Sequence, residues 1–182
     1  MSSSSTQSCR DLAEPGGRAY LDRVLWALAE GGVSMVRLDA VGYAIKTPGT
    51  SSFMTAHTME FIDELTARAR ELGVQVLVEI HAHYERQIAI DSAVDRVYDF
   101  ALPPLLLHAL YTGDAAPLRV WLEVRPVNAV TVLDTHDGIG VIDIGPDQMG
   151  DGRPGLLTPA QVHALVEGIH ERSGGQSRQA TG

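Results

Sequence analysis

Met35-Val36-Arg37-Leu38-Asp39-Ala40-Val41-Gly42-Tyr43 reads as a buried strand that runs into a loop. Side chains alternate along a strand, so Val36, Leu38 and Ala40 share one face, and Arg37 and Asp39 share the other. Strands seldom bury two opposite charges so close together without a reason. The arginine keeps the aspartate ionised, because a nearby positive charge favours the carboxylate form. An ionised, positioned carboxylate at the end of a strand is equipped to act as a nucleophile. A structural ion pair, or an aspartate that caps the following turn, accounts for the same residues.

The flanking sequence repeats a strand–helix alternation. Before this strand, Leu21, Val24, Leu25 and Leu28 recur at helical spacing over 18–30, and Gly31-Gly32 stops the helix. Beyond it, Gly42 to Ser52 is a loop marked by Pro48-Gly49. A second helix covers about 55–72, with Phe61, Ile62, Leu65 and Leu72 on its buried side and Gly73 as its stop. Residues 74–80 form a nearly continuous apolar run, the pattern of a parallel strand covered on both faces. A short helix (85–94), a third strand (96–102) ended by Pro103-Pro104, and helical stretches at 105–110 and 118–124 follow. A fourth strand at 128–134 opens into Thr135-His136-Asp137-Gly138-Ile139-Gly140. Thr158-Pro159-Ala160-Gln161 then begins a helix with a capping box and proline at its first position. Four strands alternating with helices predict an α/β fold with a parallel sheet.

Composition narrows the function classes. The chain has 182 residues, 45% of them hydrophobic, which is enough for one domain with a core. A net charge of −9 with no basic patch argues against a nucleic-acid partner. Cys9 is the one cysteine, so no intrachain disulfide forms, in keeping with a reducing compartment. Met1 to Ser8 is polar and Ser-rich, without the basic start and apolar centre of a signal peptide, and no apolar run is long enough to span a bilayer. The expectation is a cytoplasmic protein with no membrane partner. Residues 1–17 are expected to be poorly ordered, 18–172 to form the folded part, and 173–182 to be a loop cut short at the C-terminus.

Asp39, Glu79, Asp134, His136 and Asp137 all fall at or just after the C-terminal ends of strands, the edge where parallel α/β proteins build their sites. Asp39, Glu79 and Asp137 suit glycosyl transfer, which needs one carboxylate to attack the anomeric carbon and another to protonate the leaving oxygen, about 5 Å away when configuration is retained. With Arg37 beside it, Asp39 suits the nucleophile. Glu79 follows an apolar run and has no adjacent cation except a histidine, which suits a general acid that later serves as base. Asp137 and His136 suit a grip on sugar hydroxyls. A strand-end salt bridge for Glu79 and a loop hydrogen bond for His136 are the alternatives. His81 with His83, or His136 with Asp134 and Asp137, offers metal donors, but no second histidine stands at zinc-motif spacing, and the expectation is no metal. Gly138-Ile139-Gly140 is too short for a dinucleotide fingerprint.

Arg37-Leu38-Asp39-Ala40-Val41-Gly42-Tyr43, Val78-Glu79-Ile80-His81 and Thr135-His136-Asp137 resemble, in order, the nucleophile, acid/base and third-carboxylate segments of the α-amylase superfamily of retaining α-glucoside enzymes. The stretches 95–110 and 128–145 resemble the sucrose phosphorylase family within it. The resemblance implies part of a (β/α)8 TIM barrel, about four βα units corresponding to strands four to seven, and therefore an incomplete barrel. It implies transfer of glucose from sucrose to inorganic phosphate, without metal or organic cofactor. Asp39 would be the nucleophile, Glu79 the acid/base and Asp137 the transition-state stabiliser. Arg37 and His136 would surround the glucosyl unit, and Tyr43 and His81 would lie near the acceptor sugar. A sister phosphorylase acting on glucosylglycerate, or an α-glucosidase, is the alternative within the class. Outside it stand a non-catalytic half-barrel that forms a homodimer through exposed sheet edges, and a four-stranded binding domain of the flavodoxin type.

Overall fold

A computed structural model describes residue 12 and residues 14–132, 138–148 and 152–179. The first helix, α1, spans Pro15–Glu30 and begins with proline in its first turn, three residues before the apolar periodicity predicts. Strand β1 is Met35–Leu38. Helix α2 spans Ala56–Glu71, where the Thr55 hydroxyl accepts a hydrogen bond from the Thr58 amide. It ends in a left-handed turn at Gly73 (φ +74°), with the Val74 amide donating back to the Ala69 carbonyl. Strand β2 is Gln75–Val78. Then come α3 (Tyr84–Ile90), β3 (Arg96–Asp99), α4 (Leu102–Thr112), α5 (Ala116–Val124), β4 (Ala129–Thr131) and α6 (Pro159–Arg172).

The described residues divide into two units, one reaching to Glu79 and including Ala93–Asp95, the other comprising Ile80–Ser92 and the residues from Arg96 on. In the first, β1 and β2 pair in parallel, in the register Met35–Gln75 through Leu38–Val78. Val76 and Val78 are fully buried and Leu77 nearly so, as a strand covered on both faces requires. Asp95 ties this unit together: its carboxylate accepts from the Val76 amide at 2.8 Å and from Arg70 Nε at 2.9 Å. The β1 strand corrects an expectation. It is shorter than the apolar pattern predicts, and Met35 and Arg37 are exposed. Among the described residues of its unit it pairs with a strand on one side only.

In the second unit β3 and β4 also pair in parallel, from Val97–Ala129 to Asp99–Thr131. Its core is built from Ala101, Leu105, Trp121, Ile144, Leu157 and Leu165. Asp99, fully buried, accepts from the Trp121 indole (2.8 Å), from Arg125 (2.9 Å) and from the Leu102 amide (3.0 Å). That last bond caps α4, whose first turn contains Pro103 and Pro104. The two prolines therefore open a helix and do not end the strand as expected: β3 stops at Asp99, short of the predicted Leu102, and a first-turn position needs no amide donor. The capping box of α6 is present: Gln161 N–H donates to Thr158 Oγ1, and Thr158 N–H to Gln161 Oε1. Beyond α6, where a loop is predicted, a short 3₁₀ turn covers Gln176–Gln179 and Ser177 bonds the His170 ring at 2.6 Å.

Candidate active site

The in-register pairing of β1 with β2 places the first unit's two carboxylates. Leu38 opposes Val78, and the ladder continues with the Glu79 amide donating to the Leu38 carbonyl at 3.1 Å. Asp39 and Glu79 are thus the next rung. Neighbouring parallel strands lie about 4.8 Å apart, and residues at the same rung point to the same face. Arg37, two residues before Asp39, shares that face. Its Nη1 lies 2.8 Å from Asp39 Oδ1 and its Nη2 2.7 Å from Glu79 Oε1, so one guanidinium holds both carboxylates. The span of one guanidinium and two hydrogen bonds limits their separation, which agrees with the roughly 5 Å spacing that retaining chemistry uses.

This geometry corrects the environmental distinction drawn from the sequence. Glu79 does have an adjacent cation, and Arg37 does not separate the two acids by charge. Burial does separate them. The Glu79 side chain is 7% exposed and that of Asp39 67%. Glu79 also accepts from the Ala40 amide at 3.3 Å. Ala40 adopts a left-handed conformation (φ 45°, ψ 30°), and Ser52 and Met54 have positive φ as well. Such backbone costs about 1–2 kcal/mol per residue without glycine. All three sit in the connection after β1, where strain clusters at sites that surrounding structure over-determines. A pocket of about 310 Å³ opens here, lined by Arg37, Asp39, Ala40, Tyr43 and Phe61 among others. Tyr43 is exposed, with its ring 4.7 Å from that of Phe53.

His81 belongs to the second unit. Its Nδ1 lies 3.2 Å from Asp143 Oδ2, and its ring stacks on Phe100 at 3.8 Å between centroids. Asp143 had no role in the sequence reading. A signal was present, since an acid inside Val141-Ile142-Asp143-Ile144 is a charge among apolar neighbours. Burial pushes Asp143 above its ordinary carboxylate value, while the His81, Ala82 and Gln87 donors pull it back. Asp134, His136 and Asp137 lie outside the described residues. No group of three histidine, cysteine or acidic side chains among the described residues is placed to hold a metal ion. No described helix is long and apolar enough to cross a membrane.

Parallel strand–helix units define an α/β protein, and its two neighbouring carboxylates lie just past the C-terminal ends of adjacent strands, the edge where such proteins build their sites. No protein-family profile matches the chain. It is 59% identical over 172 residues to a sucrose phosphorylase of Agrobacterium vitis, a match covering 94% of this chain and 35% of the relative. It is 52% identical to the sucrose phosphorylase of Bifidobacterium adolescentis, covering 91% and 33%. A glucosylglycerol phosphorylase of Marinobacter adhaerens is 36% identical, covering 92% and 34%. The crystal structure of sucrose 6F-phosphate phosphorylase from Thermoanaerobacter thermosaccharolyticum superposes with a TM-score of 0.76 at 35% identity, over 86% of this chain and 30% of that one. The chain is therefore a homologue of one segment of the sucrose phosphorylases, and its α/β fold is that of the matching part of a phosphorylase barrel. It spans about a third of the length of the curated relatives it matches.

Proposed function

We propose that this chain carries the nucleophile and the acid/base of a sucrose phosphorylase, a hexosyltransferase that moves glucose from sucrose to inorganic phosphate with retention of configuration. The observation that carries the reading is the single Arg37 guanidinium holding Asp39 and Glu79 at the ends of two paired strands. A carboxylate oxygen of Asp39 attacks the anomeric carbon, the bond to the fructosyl oxygen breaks, and Glu79 gives that oxygen its proton. A phosphate oxygen then attacks the same carbon, Glu79 takes up its proton, and the Asp39 ester bond breaks to release α-glucose 1-phosphate. Asp137 stabilises the transition state in this scheme. Arg37 and His136 hold the glucosyl unit, Tyr43 and His81 the acceptor side, and no metal or organic cofactor takes part.

Sucrose is favoured over glucosylglycerol and glucosylglycerate by identity: 59% and 52% to sucrose phosphorylases against 36% and 30% to relatives named for the other two compounds. We place the protein in the cytoplasm, without a nucleic-acid or membrane partner, and as a homodimer through exposed strand edges. The test is release of glucose 1-phosphate from sucrose plus phosphate, beside the Asp39→Asn variant. Phosphate-dependent product that vanishes in the variant would establish the reaction, and the chain alone, about a third of its relatives' length, is expected to turn over weakly. Equal product from both, or none from folded chain, would overturn the reading for this chain.

A further inference from the structure

Asp143 is a buried acid that the proposed chemistry does not use. Its side chain is fully enclosed, yet two N–H groups and one imidazole nitrogen converge on it. Oδ1 accepts from the Ala82 amide at 3.1 Å and from Gln87 Nε2 at 2.6 Å, and Oδ2 faces His81 Nδ1 at 3.2 Å. The surroundings are shaped to this pair. A Cβ on Gly140 would stand 2.8 Å from Asp143 Oδ2 and 3.4 Å from His81 Nδ1, so only glycine leaves the contact room. Phe100 stacks flat on the imidazole and fixes the ring plane. The His81 side chain keeps 29% of its surface open, but its Nε2 is buried.

We propose that Asp143 is the positioning residue of His81, holding the imidazole in the tautomer with its proton on Nδ1 and leaving Nε2 as the unprotonated ring nitrogen. A carboxylate with Oδ1 already committed to two donors offers Oδ2 to His81 as an acceptor, and an acceptor there requires a proton on Nδ1. A carboxylate bonded to a functional imidazole sets its orientation and tautomer, as the aspartate of a catalytic triad does, and behind metal-ligating histidines its loss costs about 10–100-fold. The role on the acceptor side rests on the proposed phosphorylase reading, whereas the tautomer does not.

The experiment is a long-range ¹H–¹⁵N spectrum of histidine-labelled chain, with His81→Gln identifying the His81 signals. The expected result is His81 protonated on Nδ1 in the unaltered chain. In Asp143→Asn the amide oxygen must still accept from Ala82 and Gln87, which turns the NH₂ toward His81 and reverses the tautomer to Nε2–H. Nε2–H in the unaltered chain would overturn the proposal, and so would an unreversed ring in folded Asp143→Asn. Phosphorolysis gives the second readout. Asp143→Asn and His81→Gln should each lower turnover by about 10–100-fold, and the double variant should be no worse than either. Additive losses would refute positioning. If the unaltered chain shows no turnover, the phosphorylase reading falls and the ring tautomer alone decides this one.

Discussion

At the scale of single residues, Arg37 and Asp143 each have a partner that lies far away in sequence, Glu79 for the one and His81 for the other. Arg37 is a fork with one tine on each carboxylate, and a lysine cannot hold two acids in fixed geometry. Arg37→Lys should leave the fold intact and lower phosphorolysis about 100-fold, read by steady-state kinetics beside a circular dichroism spectrum. An unchanged rate would remove Arg37 from the site. Asp143 predicts a pH effect of definite sign. Burial raises its folded value above the ordinary 3.8, so the folded state binds its proton more tightly than the unfolded chain does. The stability from this group is therefore complete below the ordinary value and is lost as pH rises through the raised one. Denaturant titrations should show the unaltered chain losing stability relative to Asp143→Asn as pH climbs above 3.8. A constant difference would mean that Asp143 titrates as an open carboxyl does.

Among the elements, the helices follow their sequence signals closely and the strands less so. Capping and proline signals act within a few residues, so α2 starts after Thr55 and α6 after Thr158, as their sequences predict. Removing the cap in Thr158→Ala should cost about 1 kcal/mol, seen as a lower denaturant midpoint with unchanged slope. No change there would mean that packing alone sets the start of α6. Strand length, by contrast, depends on partners elsewhere in the chain. The apolar run at 128–134 predicts seven residues, and among the described residues the pairing with β3 covers Ala129–Thr131. The run at 35–43 looks buried from its alternation, but burial needs a covering layer, and β1 has β2 on one side only among the described residues of its unit.

Taken as a molecule, the chain leaves apolar side chains open. Trp26 is 57% exposed, Leu110 71% and Val127 99%. Open apolar groups and a strand edge that pairs on one side only invite association with a second copy. Sedimentation velocity should show the weight-average mass rising with concentration, and Val36→Lys on β1 should weaken that association. A mass that stays at the monomer across a hundredfold concentration range would refute the homodimer.

The sequence by itself determined the α/β alternation, the helix starts and stops, and the placing of Asp39 and Glu79 at strand ends. All of these follow from periodicity and from chemistry a few residues wide. Tertiary structure alone decided that Asp39 and Glu79 are rung neighbours, because register comes from pairing residues forty positions apart and a one-residue slip would turn one of them to the opposite face. It decided that Arg37 serves both acids, where adjacency in sequence suggests Asp39 alone. It also brought Asp143 to His81 across 62 residues. A side chain's partners are set by where the backbone folds back, and no local spacing carries that information.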